Sequence, residues 1–261
     1  MMTEVKTAVV TGSTSGIGHG IANALAATGM NIVLNGIESA EDVAEIITKM
    51  EQEHSVKVIY TPANLMEAHG GSQLIEAAID EFGRVDVLVN NAGIQYVSPV
   101  EDFPDARWEA IISLNLSAAF YTTKAVIPAM KKQQWGRIVN IASAHGLVAS
   151  PFKSAYVAAK HGVIGFTKSV ALEVAEHGIT ANAICPGYVW TPLVEKQIPD
   201  TAKAKGMTEE QVINDVLLAA QPNKKFATVE EIAATTSFLV SDGAASVTGT
   251  AISVDGGWTA Q

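Results

Sequence analysis

The stretch Thr7-Ala8-Val9-Val10-Thr11-Gly12-Ser13-Thr14-Ser15-Gly16-Ile17-Gly18, continued by the Ala/Leu-rich pattern Ile21 to Gly29, decides the fold. A short apolar run meets a glycine turn, and the turn opens into good helix formers, so the order is strand, turn, helix. Glycines let the chain turn tightly and let its backbone approach a pyrophosphate. The helix N-terminus adds unpaired N–H groups and a partial positive charge. The spacing is GxxxGxG rather than GxGxxG, and no Lys-Ser or Lys-Thr pair follows the last glycine, which excludes a P-loop. Taken alone, the turn is equally a tight connection with no ligand.

The alternation continues outward. Strands are expected over Asn31–Asn35, Val56–Thr61, Val85–Val89, Arg137–Ala142, Thr180–Cys185 and Ala251–Val254. Helices are expected over Ala40–His54, Ser72–Phe82 after a Gly70-Gly71 break, Pro104–Met130 with Asn115 in its interior, Ser154–Ala175 and Val229–Leu239. Such βαβ repetition gives an α/β fold: one Rossmann-type, doubly wound parallel sheet of about seven strands, helices on both faces, over residues 1–261 as a single domain. Ligands of such sheets lie outside the strand C-termini. Residues 188–220 are inserted between the sixth and seventh strands, and a long insertion at the ligand edge reads as a helical lid. The second strand ends in Asn35-Gly36-Ile37, with neither an acid for a ribose 2′-hydroxyl nor a base for a 2′-phosphate. The lack of Arg or Lys there and in the glycine turn favours NAD over NADP.

Composition narrows the function. Acidic residues number 27 against 17 Lys plus Arg, a net charge of −10 that argues against a nucleic-acid partner. The one cysteine, Cys185, cannot form an internal disulfide and fits a reducing cytoplasm. The N-terminus runs straight into the first strand without a signal pattern, and no segment reads as a membrane span. No metal ligands are assigned.

Chemistry concentrates in Ser143–Lys160, SAHGLVASPFKSAYVAAK. Tyr156 and Lys160 are four apart, so a helix projects both from one face about 5–6 Å apart at Cβ. A Lys cation attracts a phenolate there by about 3 kcal/mol at an effective dielectric near 20, which draws a tyrosine from about 10 toward 8. That suits proton transfer near neutral pH. Ser143, at a strand end, is placed to hydrogen-bond the same substrate oxygen. A surface Tyr/Lys contact is the plainer account of the spacing alone.

TGSTSGIG, NNAG at residues 90–93, the Ser143 to Tyr156 interval, Tyr-xxx-Lys and Pro186-Gly187 occur in an order that resembles the short-chain dehydrogenase/reductase family along essentially the whole chain. The resemblance implies that Tyr156 is the acid/base and that Ser143 polarises the reacting oxygen. It also implies that Lys160 binds the nicotinamide ribose and lowers the tyrosine pKa, and that Asn115 supports a water-linked proton path. It implies NAD contacts from Gly12, Ser13, Thr14, Ser15, Gly16, Ile17, Gly18, Gly36, Asn64, Leu65, Asn91, Ala92, Gly93, Tyr156, Lys160, Pro186, Gly187 and Thr191. Asn64 and Gly36 depart from the acids frequent in the family at the adenine end. A homotetramer is the expected assembly.

A narrower resemblance, to bacterial members acting on D-3-hydroxybutyrate, rests on NNAGIQ, IASAHGLVAS, KSAYVAAKHG, TPLVEKQI and SVDGGWTA. It implies Gln95, His145, Lys153 and Gln197 as contacts to a small anionic hydroxy or keto acid, with Trp258 closing the pocket. A cation with amide and imidazole donors can satisfy both carboxylate oxygens. Other substrates, such as a 3-oxoacyl thioester or a sugar alcohol, and a non-catalytic NAD-binding regulator stay open at this point.

Overall fold

A computed structural model describes residues 5–260, with the side chains at 193, 197, 200, 201, 204 and 205 outside that description. The Gln197 side chain therefore lies outside the described residues. In chain order the elements are β1 Thr7–Val10, α1 Gly16–Ala26, β2 Asn31–Asn35, α2 Ala40–His54, β3 Val58–Thr61, α3 Gly70–Phe82, β4 Val87–Asn90 and α4 Asp105–Ile112. A π-helical segment, Ser113–Ser117, then leads to α5 Ala118–Gln133, β5 Gly136–Ile141, α6 Ser154–Val174, β6 Ile179–Pro186 and α7 Pro192–Lys205. The short α8 Glu209–Gln211 with a second π segment, Val212–Leu217, precedes α9 Val229–Val240 and β7 Ala251–Val254.

The seven strands form one sheet in the order β3-β2-β1-β4-β5-β6-β7, with every neighbouring pair parallel. Strand order reverses between β1 and β4, and the crevice above that seam is where such sheets take ligands. Along β1, Ala8 and Val10 pack with Ile21, Leu25, Ile232 and Leu239 of α1 and α9. Val9, between them, packs with Leu74, Ile75, Val126, Met130 and Val170 of α3, α5 and α6. Strands covered on both faces need no polar side, which is why they read as apolar runs.

Three expectations are corrected. Gly70 and Gly71 do not break the chain but form the first turn of α3. A Cβ on Gly70 would collide with the Asn64 carbonyl, and one on Gly71 would sit 2.8 Å from the Tyr121 backbone, so the pair permits close helix packing. The long helix runs on to Gln133 and carries a π segment around Asn115. The continuous stretch Asp105–Gln133, 29 residues with an 18-residue window of mean hydropathy 1.3, is long and apolar enough to span a membrane, against the sequence expectation. Scattered polar residues hid its length, and Thr122, Val126 and Met130 bury it against the protein's own core. Strand limits move by one or two residues.

Gly71→Ala is expected to destabilise the fold by about 1–3 kcal/mol, because the α5 backbone cannot yield like a side chain. A urea midpoint unchanged from wild type would refute the packing argument.

Candidate active site

The glycine turn is held by left-handed Gly12 (φ 58°) and Gly16 (φ 55°), a conformation that costs glycine little. A Cβ on Gly18 would collide with the Gly12 carbonyl. Ser15 caps α1 without a side-chain hydrogen bond, and no acid occupies the first turn. The first N–H groups of α1 are thus left for an anion, which fits a dinucleotide pyrophosphate.

Several residues expected at the cofactor also brace the surrounding turns. Ser13 is fully buried and its Oγ donates to the Val10 carbonyl at 2.7 Å. Asn91 donates from Nδ2 to the Thr11 carbonyl at 3.0 Å and the Gly12 carbonyl at 2.9 Å. Asn64 bonds Glu67 and the Met66 N–H, closing a local turn. Ala92 meets this seam through its N–H, donated to Thr11 Oγ1 at 3.0 Å, and Leu65 is buried beside it. Thr191 caps α7, and its methyl lies 3.9 Å from where a Gly16 Cβ would stand, so the insertion starts beside the glycine turn.

The end of β2 holds an acid that sequence reasoning missed. Glu38 folds back so that Oε1 accepts from Thr14 Oγ1 at 2.9 Å and Oε2 accepts from the Ile37 N–H at 2.9 Å. Tyr60 Oη donates to the Glu38 carbonyl at 2.7 Å, and a Cβ on Gly36 would collide with the carboxylate. The acid stands three residues past the strand in sequence but over its end in space.

At the centre of the same edge, Ser143 follows β5, Tyr156 and Lys160 rise from α6, and Asn115 lies in the π segment. The Asn115 amide is committed to the loop after NNAG: Oδ1 accepts from the Ile94 N–H at 2.8 Å and Nδ2 donates to the Ile94 carbonyl at 2.9 Å. Its side chain positions that loop rather than lying free for a proton path. A small cavity of about 10 Å³ lined by Thr11, Asn90, Asn115 and Lys160 has room for about one water.

The expected draw of Lys160 on the Tyr156 proton is corrected. Burial raises Tyr156 above its ordinary value, while the Ser143 hydroxyl beside it pulls the other way. The Lys160 ammonium lies 5.6 Å from the Tyr156 ring centre and donates to the Ile141 carbonyl at 2.8 Å. Only 4% exposed, it is itself pushed down to about 8 by desolvation. Desolvation, and not Lys160, sets the direction in which Tyr156 is shifted.

On the substrate side, the His145 ring lies edge-on to Tyr156 at 6.0 Å and to Trp258 at 4.9 Å. His145 Nε2 is 2.8 Å from Ser150 Oγ, and burial, then Lys153, depress its pKa to about 4, so the imidazole is neutral at physiological pH. Lys153 Nζ donates to Tyr188 Oη at 3.2 Å, and the Tyr188 ring stacks on Trp258 at 5.9 Å with 3° between planes. Gln95 is exposed and outside this ring of contacts. Tyr188, directly after Pro186-Gly187, is the second residue the sequence reading missed, since nothing in that motif constrains the identity of its neighbour.

A family model described as short chain dehydrogenase matches residues 6–202. D-beta-hydroxybutyrate dehydrogenase of Rhizobium meliloti (strain 1021) is 57% identical over 256 residues, covering 98% of this chain and 99% of that protein. A protein of the same description from Cupriavidus necator (strain ATCC 17699 / H16) is 52% identical over 256 residues, covering 98% of both. Among solved structures, an actinorhodin polyketide ketoreductase variant with NADPH superposes with a TM-score of 0.91 at 34% identity, covering 100% of both chains.

Lys160→Met is expected to stabilise the fold at pH 7 while abolishing turnover. A native lysine pKa lowered from 10.5 to about 8 costs up to roughly 3 kcal/mol below pH 8. Between pH 8 and 10.5 the unfolded chain holds a proton that the native one has released, so wild-type stability rises with pH there and the variant's advantage fades. Urea midpoints for both proteins at pH 7 and 10 check this; a variant less stable at pH 7 would overturn it.

Proposed function

The chain belongs to the short-chain dehydrogenase family, and from that premise we propose that it is an NAD-dependent oxidoreductase interconverting D-3-hydroxybutyrate and acetoacetate. The observation that carries the substrate is Lys153: a half-buried ammonium three residues before Tyr156 in the chain, hydrogen-bonded to the Tyr188 phenol, with no carboxylate partner among the described residues. A cation so placed favours a short anion, because the carboxylate and the reacting carbon must be reached together. The identity of the curated relatives over nearly the whole chain supports the same substrate class.

In the oxidative direction Tyr156 acts as the phenolate, its own proton released to solvent beforehand, and takes the hydroxyl proton of the substrate, with Ser143 Oγ hydrogen-bonded to the same oxygen. When bound, NAD supplies the hydride acceptor. The glycine turn and the open α1 N-terminus hold its pyrophosphate, Glu38 its adenosine ribose, and Lys160 its nicotinamide ribose. Lys153 and the neutral His145 orient the carboxylate, and Trp258 with Tyr188 shields the reacting centre from water. Residues 188–220 act as a lid carrying Gln197. Ile198, Ala202 and Val212 form a small core of their own with Met207, Ile213 and Leu217, which supports movement as a unit. The exposed apolar side chains Phe120, Leu172 and Phe238 on the long helices support assembly into a homotetramer, and the reduced state of the buried Cys185 suits a cytoplasmic setting.

NADH appearance at 340 nm with D- and L-3-hydroxybutyrate and 2-butanol tests the reading. Turnover of the D acid far above both others is expected, with Tyr156→Phe lowering kcat by about 10²–10⁴. Equal rates with 2-butanol would sink the anionic assignment. For the cofactor, Glu38 repels a 2′-phosphate, so Glu38→Gln is expected to narrow the NAD-over-NADP ratio of kcat/KM about ten-fold; an unchanged ratio would remove Glu38 from cofactor selection.

A further inference from the structure

Tyr188 is mounted more rigidly than its place in a loop suggests. Its N–H is held by the side-chain oxygen of Gln221, whose amide donates on to the Lys225 carbonyl at 2.6 Å. Its carbonyl accepts from the Ala227 N–H at 2.9 Å, and the next residue, Val189, bridges in parallel to Ala227. Gln221 is fully buried, and a Cβ on Gly187 would collide with its side-chain oxygen, so the clamp requires both residues. The ring is fixed from the side by its stack on Trp258, and the turn bearing Trp258 is itself fastened by Asp255. That carboxylate accepts from the Gly257 N–H at 3.0 Å and the Thr259 N–H at 2.9 Å.

At the free end of this mount sits a hydroxyl that accepts from Lys153 Nζ at 3.2 Å, with the ammonium 5.5 Å from the ring centre. Lys153 itself is the residue before α6 and has a long, freely rotating stem. A carboxylate in the place of that phenol would hold the lysine more firmly but cancel its charge, and a purely apolar wall would leave it in solvent. A neutral acceptor does neither. It keeps the ammonium at the pocket and leaves its charge to be satisfied, so a carboxylate that arrives meets a cation already in place.

We propose that Tyr188 is a positioning residue that determines specificity: its phenol holds the Lys153 ammonium at the pocket wall without neutralising it, which selects substrates bearing a carboxylate. This rests on the reading of the substrate as a small hydroxy acid and names the group that makes Lys153 effective.

Tyr188→Phe tests it, because the variant keeps the ring and its stack and loses only the acceptor. Two measurements on the whole protein separate the claims. The first, reductive methylation of Lys153 with formaldehyde and borohydride followed by peptide mass spectrometry, needs no substrate; several-fold faster labelling is expected in the variant. The second is steady-state kinetics with D-3-hydroxybutyrate, where KM is expected to rise about five-fold with kcat within two-fold and KM for NAD unchanged. Unchanged labelling overturns the proposal whatever the substrate. Faster labelling with an unmoved KM, or a fall confined to kcat, overturns the role in specificity. A wild-type protein that does not oxidise 3-hydroxybutyrate overturns the proposed function instead, and the labelling result still decides whether Tyr188 holds Lys153.

Discussion

Asn91 spends its side-chain amide on the carbonyls of Thr11 and Gly12, and that pair of hydrogen bonds ties β1 to β4 where the order of the sheet reverses. A switch point is a gap by construction, since the chain leaves the two neighbouring strands toward opposite faces. The cross-tie adds to the bonds that Ser13 makes with Asn35 and Val10 in holding a glycine turn with two residues in the left-handed region. The tie is extended by Asn115, which fastens the loop after NNAG through both backbone groups of Ile94. The π segment carrying Asn115 packs in turn on α6, where a Cβ on Gly162 would stand 2.9 Å from Leu116. Glycine turn, loop, π segment and the helix bearing Tyr156 and Lys160 are thus one connected frame. Amide side chains suit this role because each offers a donor and an acceptor without a charge to desolvate.

Charge is distributed against the overall composition. The chain carries a net charge of −10, yet the groups facing the centre of the edge are Lys153, Lys160 and a histidine held neutral. Lys160 is almost wholly desolvated and bonded to a carbonyl, and Lys153 is bonded to a phenol. Neither has a carboxylate partner among the described residues. Lys160 thereby carries an unfavourable desolvation, so stability is given up in the free protein at that residue. Glu38 reverses the sign at the other end of the crevice. In the proposed function opposite ends of one groove would thereby distinguish a hydroxyl from a phosphate and a carboxylate from a neutral group.

How much of this arrangement the sequence reveals depends on how local each cause is. The first strand's limits read directly from the pattern, whereas α1 begins at Gly16, inside the glycine motif and ahead of the apolar pattern that starts at Ile21, and ends at Ala26. The Tyr156 and Lys160 pair shares one helix, so its juxtaposition was equally legible. Its electrostatics were not, because they depend on burial contributed by β5 and β6, which are remote in sequence. Glu38 escaped because the side chain folds back over Gly36, a conformation that the lack of a Cβ permits but does not announce. Tyr188 escaped because Gln221 and Trp258, which fix it, come from segments 33 and 70 residues further on. The π segment is legible only in retrospect, from a poor helix former at the one position where the helix must supply a tie to another loop.

The same distances divide the substrate side into two parts with different attachments. Tyr188 and Val189 are bound to the Gln221–Ala227 segment, whereas α7 starts at Pro192 and packs into a cluster separate from the main core. Trp190 is tied to that segment too, its N–H donating to the Ala227 carbonyl at 2.9 Å and its ring edge-on to Phe226 at 5.0 Å, so any hinge of the proposed lid falls at Thr191, beside the glycine turn. In the proposed function the groups that would choose the substrate by charge, Lys153 with Tyr188 and His145 with Trp258, lie outside α7, so discrimination would precede closure of the lid. The lid would add Gln197 and exclude water, which strengthens every charge interaction beneath it.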